Sequence, residues 1–120
     1  MTADPNWPRA SELLTNNPNS AVALIGIGAH QTSISPTRAD TTPPAVREAL
    51  LRYSTYCASH DQDLNELKIC DVGNVKSPDH AEGEQRVHEK LQNLRDKFLI
   101  AMEEIIRLPT RLQLDFGAVK

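Results

Sequence analysis

The chain has 120 residues, 39% of them apolar and 24% charged, an ordinary composition for one soluble domain. A net charge of −3 with a pI near 5.8 supplies no basic surface for nucleic acid or an anionic membrane. Met1 to Pro8 lacks a basic region followed by an apolar stretch and no later run approaches a membrane span, so the expected location is cytoplasmic.

In chain order, Trp7 with Pro8 is expected to anchor a short N-terminal helix in which Leu13 and Leu14 add packing. Val22, Ala23, Leu24, Ile25 and Ile27 then make a nearly unbroken apolar run between the polar stretch Asn16–Ser20 and the glycines Gly26 and Gly28. Such a run suits a strand covered on both faces, as in a parallel sheet. After a polar loop, Pro43 and Pro44 set φ for a first helical turn, and Thr41 or Thr42 is placed to accept a hydrogen bond from the amides that follow. Val46, Ala49, Leu50 and Tyr53 recur at i, i+3, i+4 and i+7, with Arg47, Glu48 and Arg52 on the other side. That spacing predicts a helix with one face turned toward a sheet.

A second unit repeats the pattern. Leu67, Ile69, Cys70, Val72 and Val75 make a short apolar segment that Gly73 and Asn74 bring to a turn. From about Glu82 to Leu108, Val87, Leu91, Leu94, Phe98, Met102 and Ile105 step by threes and fours, which predicts one long amphipathic helix ended by Pro109. Strand, helix, strand, helix in this order predicts an α/β fold with right-handed crossovers and a parallel sheet. Two strands leave the faces and edges of a parallel pair uncovered, so the chain reads as part of a larger fold or as one that pairs with something. Cys57 in a polar connection and Cys70 in a buried strand lack metal-type spacing and read as two reduced thiols.

Several clusters invite chemistry. His60-Asp61-Gln62-Asp63 looks metal-like, but it precedes the second strand and so lies away from the carboxyl ends of the strands, where ligands collect; a solvated loop is the better reading. Gly26-Ile-Gly28-Ala-His-Gln31 resembles a dinucleotide fingerprint without its third glycine, and no helix opens after it to hold a pyrophosphate. His30, Gln31, Thr32, Ser33, Ser35 and Arg38 occupy the loop beyond the first strand's carboxyl end, where they either shape a substrate entrance or satisfy the loop's own backbone. His80 and His88 lie at the start and on the polar side of the last helix, where exposure explains both.

Pro43, Val46 and Arg47 at the helix start, the following Glu48-Ala-Leu, and Asp71 with Gly73 at the second strand's end together resemble the ureohydrolases: arginase, agmatinase, formiminoglutamase and their relatives. In that family Gly-Pro-x-x-Ile/Val-Arg opens the helix and Asp-x-Gly-Asp ends the strand; here Thr42 and Asn74 take the places of the first glycine and the last aspartate. The order agrees over residues 21–108. The formiminoglutamase or agmatinase side is the nearer.

The resemblance implies a three-layer parallel-sheet hydrolase with two Mn2+ ions at the carboxyl edge, whose bound hydroxide attacks a guanidino or formimino carbon of a small-molecule substrate. Arg47 reads as structural, through a salt bridge or a hydrogen bond from the helix's first turn to neighbouring carbonyls, in preference to substrate contact, and Asp71 as accepting backbone amides at the strand end. The family's metal-binding segments, Gly-Gly-Asp-His/Asn-Ser, Asp-x-His-x-Asp and Asp-x-Asp, do not occur in register here. The first is due as the strand after the long helix. The expected organisation is thus an arm over 1–20, a partial ureohydrolase-like domain over 21–108 and a divergent tail over 109–120, read as a truncation or a shifted frame. No catalytic residue and no bound metal are expected in this chain alone, and the complete enzyme is expected to be a homo-oligomer. The alternative is a small non-catalytic α/β interaction module that pairs through its exposed strand edges or the apolar face of its last helix.

Overall fold

A four-stranded, all-parallel sheet forms the centre of the computed structural model, which describes residues 6–31 and 33–103. The elements are β1 (Leu14–Thr15), β2 (Val22–Gly26), α1 (Thr42–Ala49), β3 (Tyr56–Cys57), β4 (Gln62–Asp63), β5 (Ile69–Asn74), α2 (His80–Gln92) and β6 (Phe98–Met102). The sheet order is β1-β5-β2-β6, and β3 with β4 makes a separate antiparallel hairpin. No helix among the described residues is long and apolar enough to cross a membrane.

β2 lies between β5 and β6, and Ala23, Leu24 and Ile25 are buried, as its continuous apolar run requires. Its two faces meet different helices. Ala23, Ile25 and Ile27 join Val87, Leu91 and Leu94 in the main core, with Val72 and Leu99 packed against it, so α2 covers that face. Pro43 and Arg47 of α1 meet Gly26 and Asp71 on the other. The result is three layers, helix on sheet on helix. Burying Ile25 and Val87 contributes about 2 kcal/mol apiece toward holding the layers together.

The long helix expected over 82–108 is corrected. α2 ends at Gln92, and Phe98 and Met102 belong to β6. Phe98-Leu-Ile-Ala-Met102 is apolar at every position, so it satisfies a helical period and a strand equally well. Pairing decides the matter: the whole of β6 runs in register beside β2, from Val22 opposite Phe98 to Gly26 opposite Met102. Lys97 pins the strand's entry by donating Nζ to the carbonyls of Pro18 at 2.6 Å and Ser20 at 2.5 Å. Ile105 and Pro109 lie outside the described residues.

Three local expectations also change. Tyr53 is exposed and outside α1, because the arm's amides take the carbonyls that would continue the helix: Ser11 N–H donates to Leu50 O at 3.0 Å and Ala10 N–H to Tyr53 O at 2.7 Å. Trp7 is 54% exposed; Leu13, at the end of a 3-10 turn over Ala10–Leu13, is the buried residue. Thr41 makes no side-chain cap, since its hydroxyl donates to Arg38 O at 2.6 Å. The arm also gives the sheet a strand, β1, parallel to β5.

Candidate functional site

Parallel strands place all their carboxyl ends on one edge of the sheet, where crossover loops leave space for a ligand. Here that edge gathers the loop after β2, the turn between β5 and α2, and Glu103 at the end of β6. Burial lifts the Glu103 carboxyl above its ordinary range.

The loop after β2 is held from beneath by Asp79. This residue stands at the N-cap position of α2, yet its side chain makes no cap bond. Its Oδ1 instead accepts the backbone amides of His30 and Gln31, each at 2.8 Å, and the residue is only 8% exposed. The His30 Nδ1 lies 3.0 Å from the Gly28 carbonyl and 3.6 Å from Asp79 Oδ2. His80, with φ +65, brings its Nε2 to 3.0 Å from Gln31 Oε1. Arg86 braces the turn from α2 by donating Nε to Lys76 O at 2.9 Å and Nη2 to Ser77 O at 2.6 Å.

The other loop residues do not converge with these. Ser33 is half-buried and its amide donates to His30 O at 3.3 Å; Ser35 is exposed; Thr32 lies outside the described residues. Arg38 is turned to Asp40 through two hydrogen bonds at 3.0 and 3.1 Å. Asp40 therefore sits below its ordinary range, first through the Arg38 hydrogen bonds. Gly28 is explained by packing: a Cβ there would lie 2.8 Å from the Asp40 Cα.

A second cluster joins α1 to β5. Arg47 donates Nε to Asp71 Oδ2 at 2.9 Å and Nη2 to Asp71 Oδ1 at 2.8 Å, a bidentate pair. Its Nη1 reaches Asn74 Oδ1 at 2.6 Å, and Asp71 Oδ1 also accepts the Gly73 amide at 2.9 Å. Asp71 and Asn74 would face opposite sides of a regular strand. A register shift against β2, with Gly73 at φ +81, brings both to Arg47. With Leu14, Thr15 and Asn16, the residues Arg47, Asp71 and Gly73 line an open depression of about 550 Å³. Val46 is half-buried in α1 and Pro43 fully buried against Gly26.

His60, Asp61, Gln62 and Asp63 are exposed around the hairpin of β3 and β4, with Asp63 accepting from the Thr55 hydroxyl at 2.6 Å. Among the described residues no three His, Cys, Asp or Glu side chains come together in a way that could hold a metal ion, so a manganese centre does not fit them. Asp79 is the residue that sequence reasoning missed, and Asn74 was legible as a turn residue and a family position without its bond to Arg47. The only signal for Asp79 was its place before a helix, which suggests a cap and not a clamp on a loop 49 residues away.

Comparison with known proteins places this arrangement. A family model described as the Arginase family matches residues 20–107. The formimidoylglutamase of Halalkalibacterium halodurans is 38% identical over 52 residues, which covers 43% of this chain and 16% of that protein. Formimidoylglutamase from Bacillus subtilis superposes with a TM-score of 0.69 at 20% identity over 84% of this chain and 34% of that one. An oxidized Trypanosoma cruzi formiminoglutamase, solved with Mn2+, gives a TM-score of 0.78 at 16% identity over 94% of this chain and 42% of that one. At such identities the structures establish the shared fold. This chain spans less than half the length of each of these relatives.

Proposed function

Because the chain belongs to the arginase family, we propose that it forms the N-terminal part of a formiminoglutamase-like hydrolase that cleaves guanidino or formimino C–N bonds of small molecules. The observation that carries the reading is the match over residues 20–107, which takes in β2, α1, β5, α2 and β6 in order. Manganese belongs to it as the cofactor of the complete protein, as do a cytoplasmic location and a homo-oligomer. On this reading the metal ligands belong to the rest of the complete protein, and this chain by itself is expected to be inactive. Its part is to build one wall of the site: the loop after β2, held by Asp79, stands at the edge where the substrate enters.

A chimera tests the reading, with residues 20–103 of this chain replacing the matched segment of the Bacillus subtilis enzyme. Hydrolysis of formiminoglutamate in preference to arginine is expected. A folded, manganese-loaded chimera with no turnover of either compound, or of agmatine, sinks it. Turnover by the 120-residue chain with manganese overturns the claim of inactivity.

A second reading, a non-catalytic module that pairs through its strand edge, is favoured by one feature. Phe98 and Ile100 on β6 are 70% and 38% exposed, an apolar edge of the kind that seeks a neighbour. Under the first reading that edge receives the next strand of the sheet. Sedimentation bears on both, because a well-folded monomer with a cooperative melt argues against pairing and against an incomplete fold.

A further inference from the structure

The geometry points to Asp79 as a positioning residue that holds His30 as the Nδ1–H tautomer, so that its Nε2 presents a hydrogen-bond acceptor to an N–H of an amidine substrate at the carboxyl edge of the sheet. The inference deepens the proposed function and rests on it for the nature of the substrate. The clamp itself rests on geometry alone.

Tautomer follows from partners. A backbone carbonyl is only an acceptor, so the Nδ1 that lies 3.0 Å from Gly28 O must carry the proton. The carboxylate of Asp79, with Oδ2 3.6 Å from the same nitrogen, favours a proton there as well. In the neutral ring Nε2 then holds a lone pair, and among the described residues it has no hydrogen-bond partner. The same carboxylate fixes the backbone on which the ring is mounted, because its Oδ1 takes the amides of His30 and Gln31 together. Its side chain is 5% exposed and that of His30 is 25% exposed, so the anchor is buried and the ring reaches the surface. A formimino or guanidino group is rich in N–H donors and poor in acceptors. A neutral imidazole nitrogen with a free lone pair matches it, where a lysine or arginine does not.

Two-bond proton–nitrogen correlation on the 15N-labelled chain at alkaline pH reads the tautomer directly, and amide exchange reads the clamp. Wild type is expected to show His30 protonated at Nδ1. Asp79→Ala is expected to speed exchange of the His30 and Gln31 amides by about tenfold or more, relative to β2, and to release the ring into a mixture of tautomers. Asp79→Asn, whose side-chain oxygen still accepts both amides, is expected to keep their protection, and it decides the matter if Asp79→Ala does not fold. An Nε2–H tautomer in wild type, or unaltered exchange in a folded Asp79→Ala, overturns the positioning role. Formamidinium is the ligand probe and is expected to shift the His30 Nε2 resonance, a shift absent in Asp79→Ala and, if that variant does not fold, tested in wild type alone. Its absence in wild type with the tautomer intact overturns the substrate contact. Neither readout depends on turnover, so failure here is distinct from failure of the chimera.

Discussion

The Arg47 guanidinium grips the Asp71 carboxylate through two parallel hydrogen bonds, 2.9 and 2.8 Å long, and so ties α1 to β5 across one face of the sheet. Each side chain is 23% exposed, which lowers the dielectric around the pair without removing water altogether. Arg47→Ala leaves Asp71 with the Gly73 amide alone and strips Asn74 of its donor, and is expected to destabilise the chain by about 2 kcal/mol. Arg47→Lys should recover only part of that, because an ammonium cannot make both parallel bonds. Urea unfolding of the three proteins measures it; equal midpoints for wild type and Arg47→Ala would leave the pair without weight.

The same pair sets a pH dependence. Hydrogen bonds from Arg47, then the Gly73 amide and the Arg47 charge, hold the Asp71 carboxyl below its ordinary value against the opposing effect of burial. A carboxyl depressed on folding contributes stability that is fully present above its unfolded value of 3.8 and lost as pH falls through the folded one. Between about pH 5 and pH 7 this contribution is therefore constant, and the loss comes below about pH 4. Melting curves should show Asp71→Asn less stable than wild type at neutral pH, with the gap closing in acid. A gap that widens in acid contradicts the assignment.

Gly83 separates local propensity from packing. In a helix interior alanine is favoured over glycine by about 1 kcal/mol, so Gly83→Ala is stabilising on propensity alone. In the fold a Cβ there would lie 2.2 Å from the Pro78 carbonyl carbon and 2.5 Å from its oxygen, both backbone atoms of the turn that Arg86 braces. The expected result is a loss of about 2 kcal/mol or more, read as a lower melting temperature. A Cβ at Gly26 would meet the Asn74 Oδ1 at 2.1 Å, a side-chain atom that can yield at the cost of its bond from Arg47, and a Pro43 carbon at 2.8 Å, with no backbone atom among the nearest three. Gly26→Ala should therefore cost less than Gly83→Ala, and the reverse order counts against the packing argument.

The β6 edge is the surface through which the pairing reading expects association. Phe98 and Ile100 lie on the face of β6 that α1, only eight residues long, leaves open. Phe98→Lys is expected to reduce self-association of the isolated chain in sedimentation velocity while leaving the melt nearly unchanged, since the side chain it replaces is 70% exposed. Association that is indifferent to Phe98→Lys would place the sticky surface elsewhere.

Much of the fold was legible in the residues because its signals are local. The apolar run of β2, the proline pair opening α1 and the glycine-bounded β5 each specify a conformation within a few positions, and their order dictates parallel crossovers. The Arg47 and Asp71 positions were legible as a pattern, though not as a pair. β6 was not, since five consecutive apolar residues carry no period and only pairing with β2 distinguishes strand from helix.

What the sequence by itself determined was the parallel α/β class, the family, and which loop lies beyond the first strand's carboxyl end. Tertiary structure alone decided that Asp79 serves that loop instead of its own helix, that a shifted register turns Asn74 toward Arg47, and that the last strand closes on β2. The reason is the same in each case. These arrangements depend on hydrogen bonds between groups 27 to 77 residues apart, and a donor does not identify its acceptor until the chain has brought the two together.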